Sequence, residues 1–315
     1  MMRVGVIGLG WMGKLHLRVY SEMPKVEVVG VVDVDTEALK EVADLYGVPV
    51  FTRLHDLLDQ ELDAVSVCVP TSLHHEVGLD VMKRGLPLLI EKPLAATVAE
   101  GEDLVAEARR RGLQLMVGHI ERFNPAVGRV KNLVQEDEVI SIQIERVGPY
   151  PPRIQDVGVI KDLGSHDIDL IRHLAGSEYK RVFAVTSRTI GVHEDTAIIT
   201  TEMDNGVLGQ ITTNWVTPYK SRHIRVAMKN GYIEADLITQ QVKQYSKFTT
   251  YDASYSVREW PLVYKEPVKV ELLQFLEAVR DKTPMPISGE DGLAVLRTIE
   301  ELLDEAGKGR GTIGR

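Results

Sequence analysis

Three groups of residues in this 315-residue chain have the types and spacing to do chemistry. Gly8-Leu9-Gly10-Trp11-Met12-Gly13 follows an apolar run and opens an amphipathic stretch. After a strand and before a helix, such a triplet makes a tight turn at Gly8. It also brings backbone close to a pyrophosphate at Gly10 and packs the helix closely at Gly13, with phosphate charge meeting the helix N-terminus. Asp33 lies twenty residues after Gly13, at the end of the second apolar run. A carboxylate there accepts from a ribose 2′-hydroxyl and repels a 2′-phosphate, and no arginine follows in Val34-Asp35-Thr36. NAD is therefore expected over NADP. Glu91-Lys92-Pro93 places an acid and a base at the end of a buried run, Leu88–Ile90, where open α/β sheets hold their ligands. Asp162-Leu163-Gly164-Ser165-His166 sets a carboxylate four residues before a histidine. An imidazole poised near neutrality suits general acid–base work. Taken alone, Lys92 reads as a solvated lysine, and Asp162 with His166 as a capping or surface ion pair.

The elements that must position these residues fall into two textures. In the first half, apolar runs at Val4–Ile7, Val26–Val32, Ala64–Val69, Leu88–Ile90 and Leu115–Val117 alternate with stretches of helical length. Those stretches are Glu37–Tyr46, Leu73–Arg84 and Val98–Arg111, and Val50-Phe51 marks a weaker third strand. Near-continuous apolar strands separated by helices imply a doubly wound parallel sheet covered on both faces. From about residue 120 the strands lengthen and alternate: Val139–Val147, Arg181–Ile190, Asp195–Met203, Val207–Val216, Ile224–Met228 and Gly231–Tyr245. Asp204-Asn205-Gly206 and Asn230-Gly231 predict hairpins with positive φ. One helix, His166–Ala175, interrupts the meander, with Ser165 as its expected N-cap and Gly176 just past its end. The fold class is thus α/β, a Rossmann-type domain over residues 1–120 followed by an α+β domain over 121–315. The second domain carries an open-faced, mainly antiparallel sheet, and the last helix is expected to pack back across the border.

Composition narrows the function classes. Hydrophobic content of 44% and charged content of 26% are ordinary for a globular protein. A net charge of −9 argues against nucleic-acid binding, which needs a basic face. The single cysteine, Cys68, excludes an internal disulfide and reads as a buried thiol within Val65–Val69. With no long apolar span and no signal-like start, a cytoplasmic protein without membrane contact is expected. A metal set built from Asp162, His166 and His119 lacks a ligand-spacing motif, so no metal is expected.

Taken in order, Gly8–Gly13 followed by His16, Pro70 followed by His74, Glu91-Lys92-Pro93 and Asp162-x-x-x-His166 resemble the Gfo/Idh/MocA oxidoreductases over essentially the whole chain. The resemblance implies NAD-dependent oxidation of a sugar or cyclitol hydroxyl, with Lys92, Asp162 and His166 as the catalytic set. Cofactor contacts would come from Gly8, Gly10, Trp11, Met12, Gly13, Asp33, Pro70, Thr71, His74, Glu91 and Lys92. A homodimer or homotetramer through the open sheet face is also implied. Gly118–Pro125 and Asp156–Asp162 are similar to a subgroup acting on nucleotide sugars, at the 3-hydroxyl of UDP-N-acetylglucosamine. On that reading Arg122, Asn124, Arg146 and Arg153, with Asp162 and His166, meet the substrate, the arginines taking a diphosphate. The alternatives are an inositol or free-sugar dehydrogenase, and an NAD-sensing regulator without turnover.

Overall fold

The structure is a computed structural model that describes residues 1–151 and 157–308. It divides into two compact units, Met1–Ile120 with Glu266–Leu296, and Glu121–Lys265 with the chain from Arg297 onward.

The first unit is built on six parallel strands, β1 (Met2–Ile7), β2 (Val26–Val32), β3 (Val50–Phe51), β4 (Ala64–Val67), β5 (Leu88–Glu91) and β6 (Leu115–Gly118). Helices α1 (Trp11–Glu22), α2 (Thr36–Tyr46), α3 (Leu54–Leu58), α4 (His74–Lys83) and α5 (Val98–Arg111) alternate with them. The strand order β3-β2-β1-β4-β5-β6 is the doubly wound one, and it reverses direction between β1 and β4. Ligands in such sheets bind outside the carboxyl ends of the strands at that switch point. β4 and β5 are buried at every residue, as a sheet covered on both faces requires. The helix ends follow local chemistry. Asp35 caps α2 by accepting from the Glu37 and Ala38 amides. Thr97 and Glu100 form a complete capping box on α5, which stops at Gly112 in the left-handed region.

The second unit holds an eight-stranded sheet. Its strands are β7 (Val139–Pro149), β8 (Tyr179–Ser187), β9 (Thr196–Met203), β10 (Leu208–Asn214), β11 (Val216–Met228), β12 (Gly231–Asp236), β13 (Gln241–Ser246) and β14 (Val257–Trp260). Their order is β14-β13-β12-β11-β7-β10-β9-β8. Every neighbouring pair is antiparallel except β7 with β10, so the sheet is mixed but mainly antiparallel. Helices α6 (Pro125–Leu133) and α7 (Ser165–Ala175) cover one face, over Ile142, Ile144, Ala197, Ile199 and Ile211. Phe183, Val185, Ile198 and Leu208 alternate outward and are exposed.

Two strand expectations change. The run Gly231–Tyr245 is two strands, because Asp236 accepts from the Ile238 and Thr239 amides and Gln240 turns at φ 55°. The Asn230-Gly231 hairpin forms, but not with positive φ; Asn230 is instead held by its amide and side chain on Asp137. Gly206, by contrast, turns at φ 86° as expected. The remaining helices are α8 (Pro267–Asp281) and α9 (Gly289–Lys308). α8 and the first part of α9 belong to the first unit, where α8 packs on α1 and Ser288 bridges to Met116 of β6.

Candidate active site

The loop after β1 fits a dinucleotide phosphate. Gly8 turns at φ 92°, and a Cβ there would lie 2.7 Å from the Cys68 carbonyl. A Cβ on Gly13 would sit 1.8 Å from the Gly8 oxygen, so only glycine lets α1 start against this turn. At Gly10 a Cβ would meet nothing within 4 Å, which leaves backbone open to an incoming group beside the N-terminus of α1. Trp11 is 73% exposed at the same edge and Met12 is half-buried. Asp33 closes the end of β2: its carboxylate accepts from the Leu9 amide of the glycine loop and, at 2.9 Å, from the Asp35 amide. The residues present therefore fit a nicotinamide dinucleotide, with the glycine loop for its phosphates and Asp33 for a ribose.

Lys92 is half-buried immediately past β5, and its peptide is held from two sides. Glu91 is buried at the last position of the strand, and its Oε2 accepts from the Lys92 amide at 3.2 Å. Its Oε1 lies 3.1 Å from Nε2 of His16, a fully buried residue of α1. On the other side, the buried imidazole of His74 has Nδ1 at 2.8 Å from the Pro93 carbonyl and Nε2 at 3.0 Å from that of Val69. A neutral ring donates to only one of these. Burial pulls the His74 pKa below its ordinary value, while both carbonyls and the Glu91 charge push the other way. His74 thus ties the end of β4 to the Lys92 loop, while Pro70 and Thr71 line the chain between them at the surface. Cys68 is buried and its thiol is pushed up in pKa by burial and by the charge of Glu91, which suits an inert thiol.

In the second unit, Asp162 and His166 lie on one continuous helical segment, with Asp162 in a π-helical turn (Ile160–Gly164) that runs directly into α7. Such turns widen a helix locally and recur at functional sites. The expected cap differs: α7 begins after Gly164 without a side-chain cap, and Ser165 Oγ donates to the Asp162 carbonyl at 3.1 Å. His166 is therefore not at a free helix N-terminus. The π-turn is held from β9's side by Glu194, which lies just before that strand. Glu194 accepts from the Val159 amide with its carbonyl and from the Ile160 amide with its carboxylate. Both Asp162 and His166 are half-buried.

The arginines and Asn124 expected at the substrate have partners of their own within the second unit. Arg146 is 2% exposed, with Nε on Asp167 and Nη1 on Glu121, each at 2.7 Å. Arg122 makes a two-pronged pair with Asp169, its Nε at 2.8 Å. Each of these guanidinium groups thus has carboxylate partners inside the unit. Asn124 is 3% exposed and caps α6, accepting from the Ala126 amide and donating to the Leu237 carbonyl. Arg153 lies outside the described residues. The cluster has a member that spacing did not reveal: Arg222 on β11 stands directly opposite Arg146 on β7, and both donate to the same oxygen of Glu121. Like charges in register are unfavourable unless a carboxylate bridges them, and Glu121 does so. Burial opposes ionisation of Glu121, but the charges of Arg146 and Arg222 outweigh it and hold its pKa below the ordinary value. Burial and the charge of Arg146 lower the Arg222 pKa, and the charges of Glu121, Asp167 and Asp162 counter this, so Asp162 lies within electrostatic reach of Arg222.

Comparison with known proteins agrees with this architecture. Residues 2–119 match the profile described as "Oxidoreductase family, NAD-binding Rossmann fold", and residues 131–234 match the "GFO/IDH/MocA C-terminal domain". The UDP-N-acetylglucosamine 3-dehydrogenase of Acidithiobacillus ferrooxidans is 31% identical, with 94% of each chain covered. Its solved structure superposes with a TM-score of 0.91 at 29% identity, covering 98% of each chain. The myo-inositol 2-dehydrogenase of Thermotoga maritima is 27% identical over 94% of this chain and 93% of its own. The structure of GenD2 from gentamicin A biosynthesis, in complex with NAD, has a TM-score of 0.84 at 25% identity, covering 98% of this chain and 95% of that one. The glycine loop, the Glu91-Lys92-Pro93 strand end and these likenesses converge: the chain belongs to the Gfo/Idh/MocA oxidoreductases, NAD(P)-dependent dehydrogenases acting on sugar hydroxyls.

Proposed function

We propose that the protein oxidises a secondary hydroxyl of a nucleotide sugar, of the UDP-N-acetylglucosamine 3-dehydrogenase type, with NAD as its cofactor. The observation that carries the reaction class is Lys92, whose backbone amide is held by Glu91 at the carboxyl end of β5, one strand from the switch point. A bound nicotinamide dinucleotide supplies the hydride acceptor. His166 takes the hydroxyl proton, Lys92 stabilises the developing alkoxide charge, and Asp162 orients the imidazole or accepts from a neighbouring hydroxyl. Asp33 supports NAD over NADP, because its carboxylate stands where a 2′-phosphate would bring negative charge. The nucleotide-sugar choice is supported by the 31% identity to the Acidithiobacillus enzyme rather than by the arginines, which are engaged elsewhere.

A second reading, an inositol or free-sugar dehydrogenase, draws support from those arginine pairings and from the Thermotoga relative. Turnover with NAD and with NADP, followed in the NADH absorbance band over UDP-sugars, free sugars and inositols, separates the two. The expected result is activity on a UDP-sugar with preference for NAD. Activity confined to inositols or free sugars selects the second reading, and NAD binding without turnover on any of them makes the protein a sensor. On the substrate so found, Lys92→Ala and His166→Ala should each lower kcat by about 10²–10⁴; near-wild-type turnover in both removes the assignment. By the same family resemblance the open sheet face serves self-association.

A further inference from the structure

Glu271 is a buried carboxyl that the proposed reaction does not use. It lies on α8, is fully buried, and neither of its oxygens has a hydrogen-bond partner among the described residues. Its neighbours are His16 of α1 and Glu91 of β5; one ligand atom from each of the three lies within 4.8 Å of the others. The pocket is tight on the Glu91 side, where a Cβ on Gly118 would come 3.1 Å from the Glu91 carboxylate. A second negative charge here would have no donor to stabilise it and would face Glu91 in a medium of low dielectric.

The surroundings fix where protons can sit. His16 Nδ1 lies 3.5 Å from Cys68 Sγ and Nε2 lies 3.1 Å from Glu91 Oε1. A neutral His16 satisfies both contacts, accepting from the thiol and donating to the carboxylate. The Tyr20 hydroxyl pairs with Ser66 Oγ at 2.8 Å. The cations of the α1–α8 seam, Arg18 and Lys269, are partly exposed and face Glu266 and Glu22. With both His16 nitrogens so engaged, Glu91 is the group nearest to accept from Glu271. Burial raises the Glu271 pKa well above the ordinary carboxyl value, and the charge of Glu91 adds to this.

We propose that Glu271 is a neutral carboxylic acid whose hydroxyl is donated to Glu91, directly or through one water, and that it thereby fixes the Glu91–Lys92 peptide. It is a positioning residue for Lys92, so this inference rests on the role given to Lys92 above. His16 and Glu271 together hold one Glu91 carboxylate, whose other oxygen holds the Lys92 amide.

The test uses Glu271→Gln, which keeps a neutral donor, and Glu271→Leu, which keeps the volume without one. In wild type the folded state retains the Glu271 proton after the unfolded chain has lost it. That stabilisation is complete below the ordinary glutamate pKa and fades as pH rises toward the folded value. The Tm of wild type minus that of Glu271→Gln should therefore fall steadily with rising pH, and wild type should show a protonated-carboxyl infrared band that Glu271→Gln lacks. On substrate, Glu271→Leu should lose about 10-fold in kcat with KM for NAD little changed, and Glu271→Gln should recover most of it. A flat Tm difference, an absent band, or one equivalent of divalent metal that Glu271→Gln fails to bind overturns the neutral acid. Unchanged kcat in Glu271→Leu overturns the positioning role. Full turnover in Lys92→Ala defeats instead the reading on which it rests, leaving the Tm and infrared results to judge the protonation of Glu271 alone.

Discussion

At the scale of single residues, the glycine loop separates two requirements that the motif merges. Gly13 is needed by the protein itself, since its Cβ would overlap the Gly8 oxygen at 1.8 Å. Gly10 has open space around it, so the fold makes no demand there and any demand comes from the ligand. Gly13→Ala should therefore lower both Tm and NAD affinity. Gly10→Ala should keep the wild-type Tm within about 2 °C while weakening NAD binding about 10-fold or more, a loss of ~1.4 kcal/mol. Calorimetric titration alongside thermal melts reads both quantities, and equal NAD affinity in Gly10→Ala and wild type would show that the pyrophosphate does not approach this backbone. The same residue-level view explains the arginines. Arg122 and Arg146 were visible as cations in the sequence, but their partners were not. Asp167 and Asp169 lie more than twenty residues downstream, on different sides of α7, and only the fold brings each to its arginine.

At the scale of elements, the buried cluster linking β7, β11 and α7 is a place where charge decides stability. Arg146 is enclosed with Glu121 and Asp167; removing it leaves Glu121 with Arg222 but takes from the buried Asp167 its paired cation. Arg146→Met should cost about 3–5 kcal/mol in urea unfolding. Burial pushes Asp167 up to about 6 even with Arg146 beside it, although the cation itself is shifted to hold its charge more firmly. The folded pKa thus exceeds the ordinary value, and the folded state binds this proton first as pH falls. Its stabilisation is complete below about pH 4 and is lost as pH rises through about 6. The Tm of wild type relative to Asp167→Asn should then grow as pH falls from about 7 to about 4; a constant difference would mean that Asp167 is ionised throughout. The parallel sheet was legible in the sequence because its strands are apolar on both faces and its helices carry local caps, as Thr97 with Glu100 shows. Much of the second sheet was less so. β11 runs through Lys220, Arg222, His223 and Arg225, polar residues that hid most of a thirteen-residue strand. The π-turn carrying Asp162 has no sequence signal either, since Glu194 holds it from beyond β8.

At the scale of the whole molecule, the exposed face of the eight-stranded sheet makes the proposed self-association testable. Val185 on β8 and Ile198 on β9 are directly paired in register and 60% and 49% exposed. Phe183 and Leu208 are exposed on the same face of the sheet. This face fits the proposed self-association. Its residues leave the unit's own core intact, because that core is made by the alternate positions Ala184, Ala197 and Ile199. Charging the face should therefore break assembly without unfolding the chain. Val185→Lys combined with Ile198→Lys places two like charges side by side where an apolar partner surface would sit. Light scattering after size exclusion at micromolar concentration should find a dimer or tetramer for wild type and a monomer for the double variant, with unchanged far-ultraviolet circular dichroism. A monomeric wild type at that concentration would leave this face without its proposed occupant. An oligomer that survives both lysines would place the interface on another surface.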